Sequence, residues 1–258
     1  MPSIWLSALE KDEGAVQKLM ARMKKYGLAL KGHFWANDNS KMAWYEALSE
    51  LRSKEIGAWA IAGGRQQFLN DDLRYGLSML ALSMCGERGA AFPIILLQNG
   101  GAPLAADDLP TPLQSAVIMP ADSEGTPAKL IARLHAKPAA PPVHYTIRMA
   151  GNPHVGQWLE IRPQGDPWPG IIFGLDQGEI LFQAVGPAGA LPARSVLEHP
   201  MQGIRLEYEG TLFSAWAVRN EISKADAYFV KIDGAPATLL FGPFPENDQA
   251  DLFKFHLK

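Results

Sequence analysis

A single cysteine, Cys85, in 258 residues excludes an internal disulfide. It sits among Leu80, Leu82 and Met84, the setting of a small buried hydrophobe rather than a nucleophile. The expected compartment is therefore a reducing cytoplasm. Charge of one sign is also lacking, since 24 Lys and Arg stand against 27 Asp and Glu, a formal charge of -3. That balance offers no basic field for a nucleic-acid backbone, and the cluster Arg22, Lys24 and Lys25 reads as the wet face of a helix. Long apolar runs are missing too. The uncharged stretch from Gly89 to Ala106 contains Pro93, Gly100, Gly101 and Pro103, which rules out a membrane helix there. At the N-terminus, Glu10, Lys11, Asp12 and Glu13 interrupt the chain before a signal-peptide core can form.

Several catalytic signatures are absent as well. Neither a GxxxxGK[ST] loop nor a GxGxxG fingerprint occurs, and Gly63-Gly64 reads as a tight turn. The histidines are scattered without an HxxxH pair or cysteine partners, so no metal site is expected. Gly76-Leu77-Ser78-Met79-Leu80 lacks the second glycine of a nucleophile elbow and lies inside a helical pattern, which argues against a serine hydrolase.

What is present is a change of period. The stretch Lys137-Pro-Ala-Ala-Pro-Pro142 separates a half with helical spacing and short buried strands from a half that alternates two by two. The expected organisation is an α/β domain over 1–136, a linker over 137–142 and an all-β domain over 143–258. In the first half, strands are expected at Ile4–Leu9, Leu28–Trp35, Ala58–Ala62, Phe92–Leu97 and Ala116–Met119. Between them, Asp12 caps a helix with Val16, Leu19, Met20 and Met23 on one face, ended by Gly27. Ser40 is expected to cap a helix with Trp44, Ala47, Leu48 and Leu51 inward. The helix from Asp71 carries apolar residues on several faces and should be unusually buried, and Thr126 is expected to cap the last helix with Pro127 at its first position. This alternation predicts a doubly wound, mostly parallel five-stranded sheet, with the loops after the strands gathered along one edge. A cofactor at that edge would meet Ser7, Lys11, Asp12, Gly63, Gly64 and Arg65.

The order and spacing of these elements over residues 3 to 136 resemble the Toll/interleukin-1 receptor (TIR) domain family. The resemblance lies in Ser7 before Glu10-Lys11-Asp12, a helix bearing Trp44, the strand Ala58 to Ala62 and the strand Pro93-Ile94-Ile95-Leu96-Leu97. It implies a signalling or assembly module that contacts a protein partner or a second copy of itself. Some members of the family cleave nicotinamide from NAD with a glutamate on the helix after the third strand. Here Asp71 and Asp72 are the acids near that place, and they also suit the helix N-terminus as caps. The open readings are an assembly module with no cofactor, an NAD glycohydrolase using Asp71 or Asp72, and a flavodoxin-like domain binding a small ligand.

The second half predicts about nine short strands in a sandwich or barrel. Ile204, Leu206 and Tyr208 alternate with Arg205, Glu207 and Glu209, and Phe253, Phe255 and Leu257 alternate with Lys254 and His256. Turns are marked at Gly151-Asn152, Gln164-Gly165-Asp166, Asp176-Gln177-Gly178 and Asp233-Gly234, the last suiting a two-residue hairpin. Trp158, Trp168 and Trp216 are expected in the core or on a binding surface, with Trp168 harder to bury between Pro167 and Pro169.

Overall fold

A computed structural model describes residues 3–136, 144–245 and 251–258, so the expected linker Lys137–Pro142 lies outside the described residues. The chain divides into two compact units, the first holding residues 3–39 and 43–136 and the second the residues from 144 on.

The first unit runs β1 (Ser3–Ala8), α1 (Glu13–Lys25), β2 (Leu30–Phe34), α2 (Glu46–Leu51), β3 (Ile56–Gly64), α3 (Arg65–Phe68), α4 (Asp71–Arg88), β4 (Ile94–Asn99), β5 (Val117–Pro120) and α5 (Thr126–His135). Every strand pair is parallel and the order is β2-β1-β3-β4-β5, a doubly wound flavodoxin-like sheet. Ala58, Ala60 and Ala62 of β3 are small enough to let helices approach. Over them Val16, Leu19 and Met23 of α1 and Leu130, Ile131 and Leu134 of α5 form one core layer. Helix α4 is buried continuously from Tyr75 to Met84 among α2, α3 and the tight helical turns Ala43–Tyr45 and Thr111–Leu113, as its many-sided apolar pattern predicts.

Local chemistry decides the helix ends. Asp12 accepts from the Ala15 N–H at 2.9 Å, and Gly27, at φ 78°, follows α1. Four expectations need correction. Ser40 does not cap α2, because the chain first makes the turn at Ala43–Tyr45 that buries Trp44, and the helix starts at Glu46. Asn70, not an aspartate, caps α4 by accepting from Leu73 N–H at 3.1 Å, which leaves Asp71 and Asp72 in the first turn. Gly125 precedes α5, while the Thr126 hydroxyl donates to the Pro120 carbonyl at 2.6 Å. Gly63-Gly64 is not a tight turn either: both residues belong to β3, and Gly64 is extended as it enters α3.

The second unit contains nine strands among the described residues: β6 (Tyr145–Met149), β7 (Gln157–Pro163), β8 (Ile171–Leu175), β9 (Glu179–Pro187), β10 (Met201–Tyr208), β11 (Thr211–Val218), β12 (Asp226–Asp233), β13 (Thr238–Pro243) and β14 (Phe253–His256). They form two antiparallel sheets, β10-β11-β8-β13-β14 and β6-β7-β12-β9. Rings from the two sheets meet between them: Phe173 lies 6.3 Å from Tyr228, and Tyr145 lies 4.8 Å from Phe241. This is a sandwich. The Tyr228 hydroxyl, fully buried, donates to Gln183 at 3.0 Å, and burial pushes its pKa up.

Two expectations change here. Asp233-Gly234 is not a hairpin loop, because β12 and β13 belong to different sheets and the turn carries the chain between them. The tight hairpin is instead Glu209-Gly210, joining β10 to β11, where both residues have positive φ. Trp168 is 8% exposed despite its flanking prolines, since its backbone bridges Ile222 and its ring stacks at 6.3 Å on Phe253.

Candidate functional site

The residues expected at the strand ends of the first unit do not share one site. Ser7 is fully buried, with its hydroxyl 2.8 Å from His33 Nε2 and accepting from the Trp59 indole N–H at 2.9 Å. Burial lowers the pKa of His33 against the opposing pull of Glu46, and a neutral ring can accept the Ser7 proton at Nε2. The pair has the composition of a nucleophile and its base, yet no solvent reaches the hydroxyl. It ties β1 to β2 and β3 under the sheet.

Lys11 and Asp12 are exposed, and Asp12 is engaged as the cap of α1. Arg65 donates to the Pro103 carbonyl at 3.0 Å and to Asp108 at 3.1 Å. Asp108 in turn accepts from Ala105 N–H at 2.9 Å, and that backbone bond, with Arg65, holds its carboxyl below the usual range. A Cβ on Gly63 would meet Leu9 at 2.9 Å and one on Gly64 would meet Gln67 at 2.7 Å, so these glycines make room for neighbouring side chains. Asp71 and Asp72 are exposed on α4. The cleft at the strand ends, bordered by Glu10, Asp12 and Asn99, measures about 40 Å³. That is space for a few waters and does not fit a dinucleotide.

A larger cavity, about 550 Å³, lies in the second unit on the outer face of the four-stranded sheet. Its size falls within the range of small-molecule sites, roughly 300–1,000 Å³. Strand alternation sends Leu159, Ile161, Tyr228 and Val230 into the sandwich and leaves Trp158, Glu160, Phe229, Lys231, Phe182 and Ala184 on the other side. Part of that outer face is closed by the segment between β9 and β10. Ala188 and Leu191 pack on Ala184, Ala227 and Phe229, and Gly186 has no room for a Cβ because Pro192 would lie 2.7 Å away. The Ser195 hydroxyl donates to the Val185 carbonyl at 2.9 Å and accepts from its N–H at 2.7 Å, capping the edge of β9. Glu160, 1% exposed, pairs with Arg148 at 2.5 Å and accepts from Gly189 N–H at 3.3 Å.

The remaining part is open. Trp158, Lys231 and Phe182 stand in register across the neighbouring strands β7, β12 and β9, with the two ring centroids 5.8 Å apart and the rings inclined at 64°. The Trp158 indole donates to the Val155 carbonyl at 3.2 Å, which fixes the ring against the β6–β7 loop. Phe182 is 56% exposed. His154, Arg194 and Ser195 complete the rim. Trp158 was legible in the sequence as a possible binding residue. Phe182 and Lys231 were not, and a signal existed only in Phe182 standing among apolar residues on a strand with one wet side. Among the described residues no group of three or more His, Cys, Asp or Glu is placed to hold a metal, and no helix is long and apolar enough to cross a membrane.

No protein-family profile matches the chain, and no curated protein matches it in sequence. Among solved structures, a response regulator receiver protein from Pseudomonas putida is similar at 16% identity over 51% of this chain and 96% of its own, with a TM-score of 0.33. A two-domain esterase active on acetylated mannans, co-crystallized with mannopentaose, is similar at 10% identity over 96% of this chain and 92% of its own, with a TM-score of 0.31. At these scores the likenesses add nothing to the strand orders already described.

Proposed function

We propose that this chain is a non-catalytic binding protein in which the β-sandwich unit takes a small ligand and the α/β unit contacts a protein partner or a second copy of the chain. The observation that carries the ligand site is the open row Trp158, Lys231, Phe182 above a cavity of about 550 Å³. Phe182, exposed beside the half-buried Trp158 ring, forgoes hydrophobic burial, and a planar ligand restores it on binding. The assembly role of the α/β unit rests on the TIR-like pattern of its sequence and belongs to the same proposal.

The test uses the full chain and naphthalene methanol as a flat, uncharged probe. Binding is expected to shift the Trp158 indole N–H resonance, and Phe182→Ala should weaken it about fivefold, the size of an aromatic contact near 1 kcal/mol. Because Phe182 is exposed, the same variant should change thermal stability by no more than about 0.5 kcal/mol. A probe that leaves the Trp158 signal unmoved at saturation, or binds Phe182→Ala equally well, would remove the groove as the site.

A further inference from the structure

The charge around the groove narrows the class of ligand, an inference that rests on the groove being the binding site. Arg194 and Lys231 both border the cavity, and among the described residues no Asp or Glu does. Neither cation makes an ion pair among the described residues, whereas Arg148 on the same sheet face is paired with Glu160. The nearest buried carboxylate is therefore already engaged. Lys231 is held between the two aromatic rings by strand register, and its stem passes within 3.0 Å of where a Cβ on Gly156 would sit. Its ammonium therefore lies by Gly156, just before β7, while Arg194 is carried on the segment that closes the rest of the face. Two unpaired cations beside one exposed and one half-buried ring favour a ligand with a flat apolar body and a negative group. A neutral sugar would find the stacking surface but no carboxylate to receive its hydroxyl donors.

We propose that the groove selects a small planar organic anion, its body seated against Trp158 and Phe182 and its carboxylate or phosphate held by Lys231 and Arg194. The backbone around both cations leaves them free to be replaced: Arg194 is exposed, and Lys231→Gln keeps most of the stem.

The experiment compares naphthalene carboxylate with naphthalene methanol on the full chain by titration calorimetry, with the Trp158 indole resonance reporting the location. The carboxylate is expected to bind at least tenfold more tightly than the alcohol. Arg194→Gln and Lys231→Gln should each reduce that preference by about tenfold or less, and the double variant should abolish it. Raising the salt concentration should weaken the carboxylate alone. Equal binding of the two probes at Trp158 would overturn the anion class and leave the groove standing as an apolar site. An unchanged preference in the double variant would overturn it equally. Loss of both probes from Trp158 would reject the groove itself, and with it this inference.

Discussion

The two units meet the same demand, hiding a sheet from water, in ways that leave different surfaces free. In the parallel sheet β3 is buried almost without interruption from Ala58 to Gly63, because crossover helices lie on both faces. At the strand ends, where open sheets of this kind take their ligands, the cleft is about 40 Å³. In the antiparallel unit, one face of the four-stranded sheet supplies the sandwich core and the other is spare. The segment after β9 closes part of that face, and the rest stays open around a cavity of about 550 Å³. The contrast shows that a sheet face with no use in the core is what an antiparallel fold leaves open to solvent.

The largest expected effect tests whether the closed part of the spare face is structural. Glu160→Ala leaves Arg148 without its partner and Gly189 N–H without its acceptor in a buried position. The cost should be about 3–5 kcal/mol, read as a lower midpoint for unfolding of the β unit in urea. A change near zero would mean that the segment merely rests on the sheet, and the contrast between closed and open halves would dissolve.

A smaller effect is expected in the α/β unit. Arg88 donates to the Leu51, Ser53 and Ile56 carbonyls at 2.9, 2.8 and 2.8 Å, joining the end of α4 to the start of β3. Arg88→Ala should destabilise by about 2–3 kcal/mol, since hydrogen bonds to a charged group outweigh neutral ones, while Arg88→Lys should recover part of the loss. By contrast Arg52 and Glu87, bonded at 2.7 Å but nearly half exposed, should show about 0–1 kcal/mol when either is replaced by alanine.

The smallest effect concerns pH. Burial lowers the pKa of His33 below 6.5, so in mild acid the unfolded chain binds a proton that the folded chain refuses. Stability is then fully present above pH 6.5 and falls as the pH drops toward the folded value. His33→Gln should flatten the melting temperature of the α/β unit between pH 7 and pH 5 relative to the unaltered chain. An unchanged slope would assign the acid sensitivity in this range to groups other than His33; Asp108 is not among them, since its lowered pKa predicts loss only as pH falls through the carboxylate range.

Much of the candidate site was out of reach of local pattern. Trp158, Phe182 and Lys231 are separated by dozens of residues, and only the registers β7–β12 and β12–β9 bring them into one row. The strand-end residues failed to converge for a related reason. Arg65 looked free in a polar loop, but Asp108 and the Pro103 carbonyl, some forty residues onward, occupy its guanidinium. Ser7 looked like an edge hydroxyl, and its position in β1 places it inward beneath Trp59.

The sequence by itself determined the division into an α/β and an all-β half, the helix-bearing segments, the heavy burial of α4 and the nine strands, because side-chain periods of about 3.6 and 2 residues are properties of the local backbone. The cap at Asp12 and the stop at Gly27 were equally local. The tertiary structure decided which strands pair. Asp233-Gly234 has the composition of a hairpin turn, yet it leads from one sheet to the other, because side-chain burial between the sheets outweighs the preference of two residues. The same long-range pairing chose which face of β7, β9 and β12 the core needed, and so which face was left open.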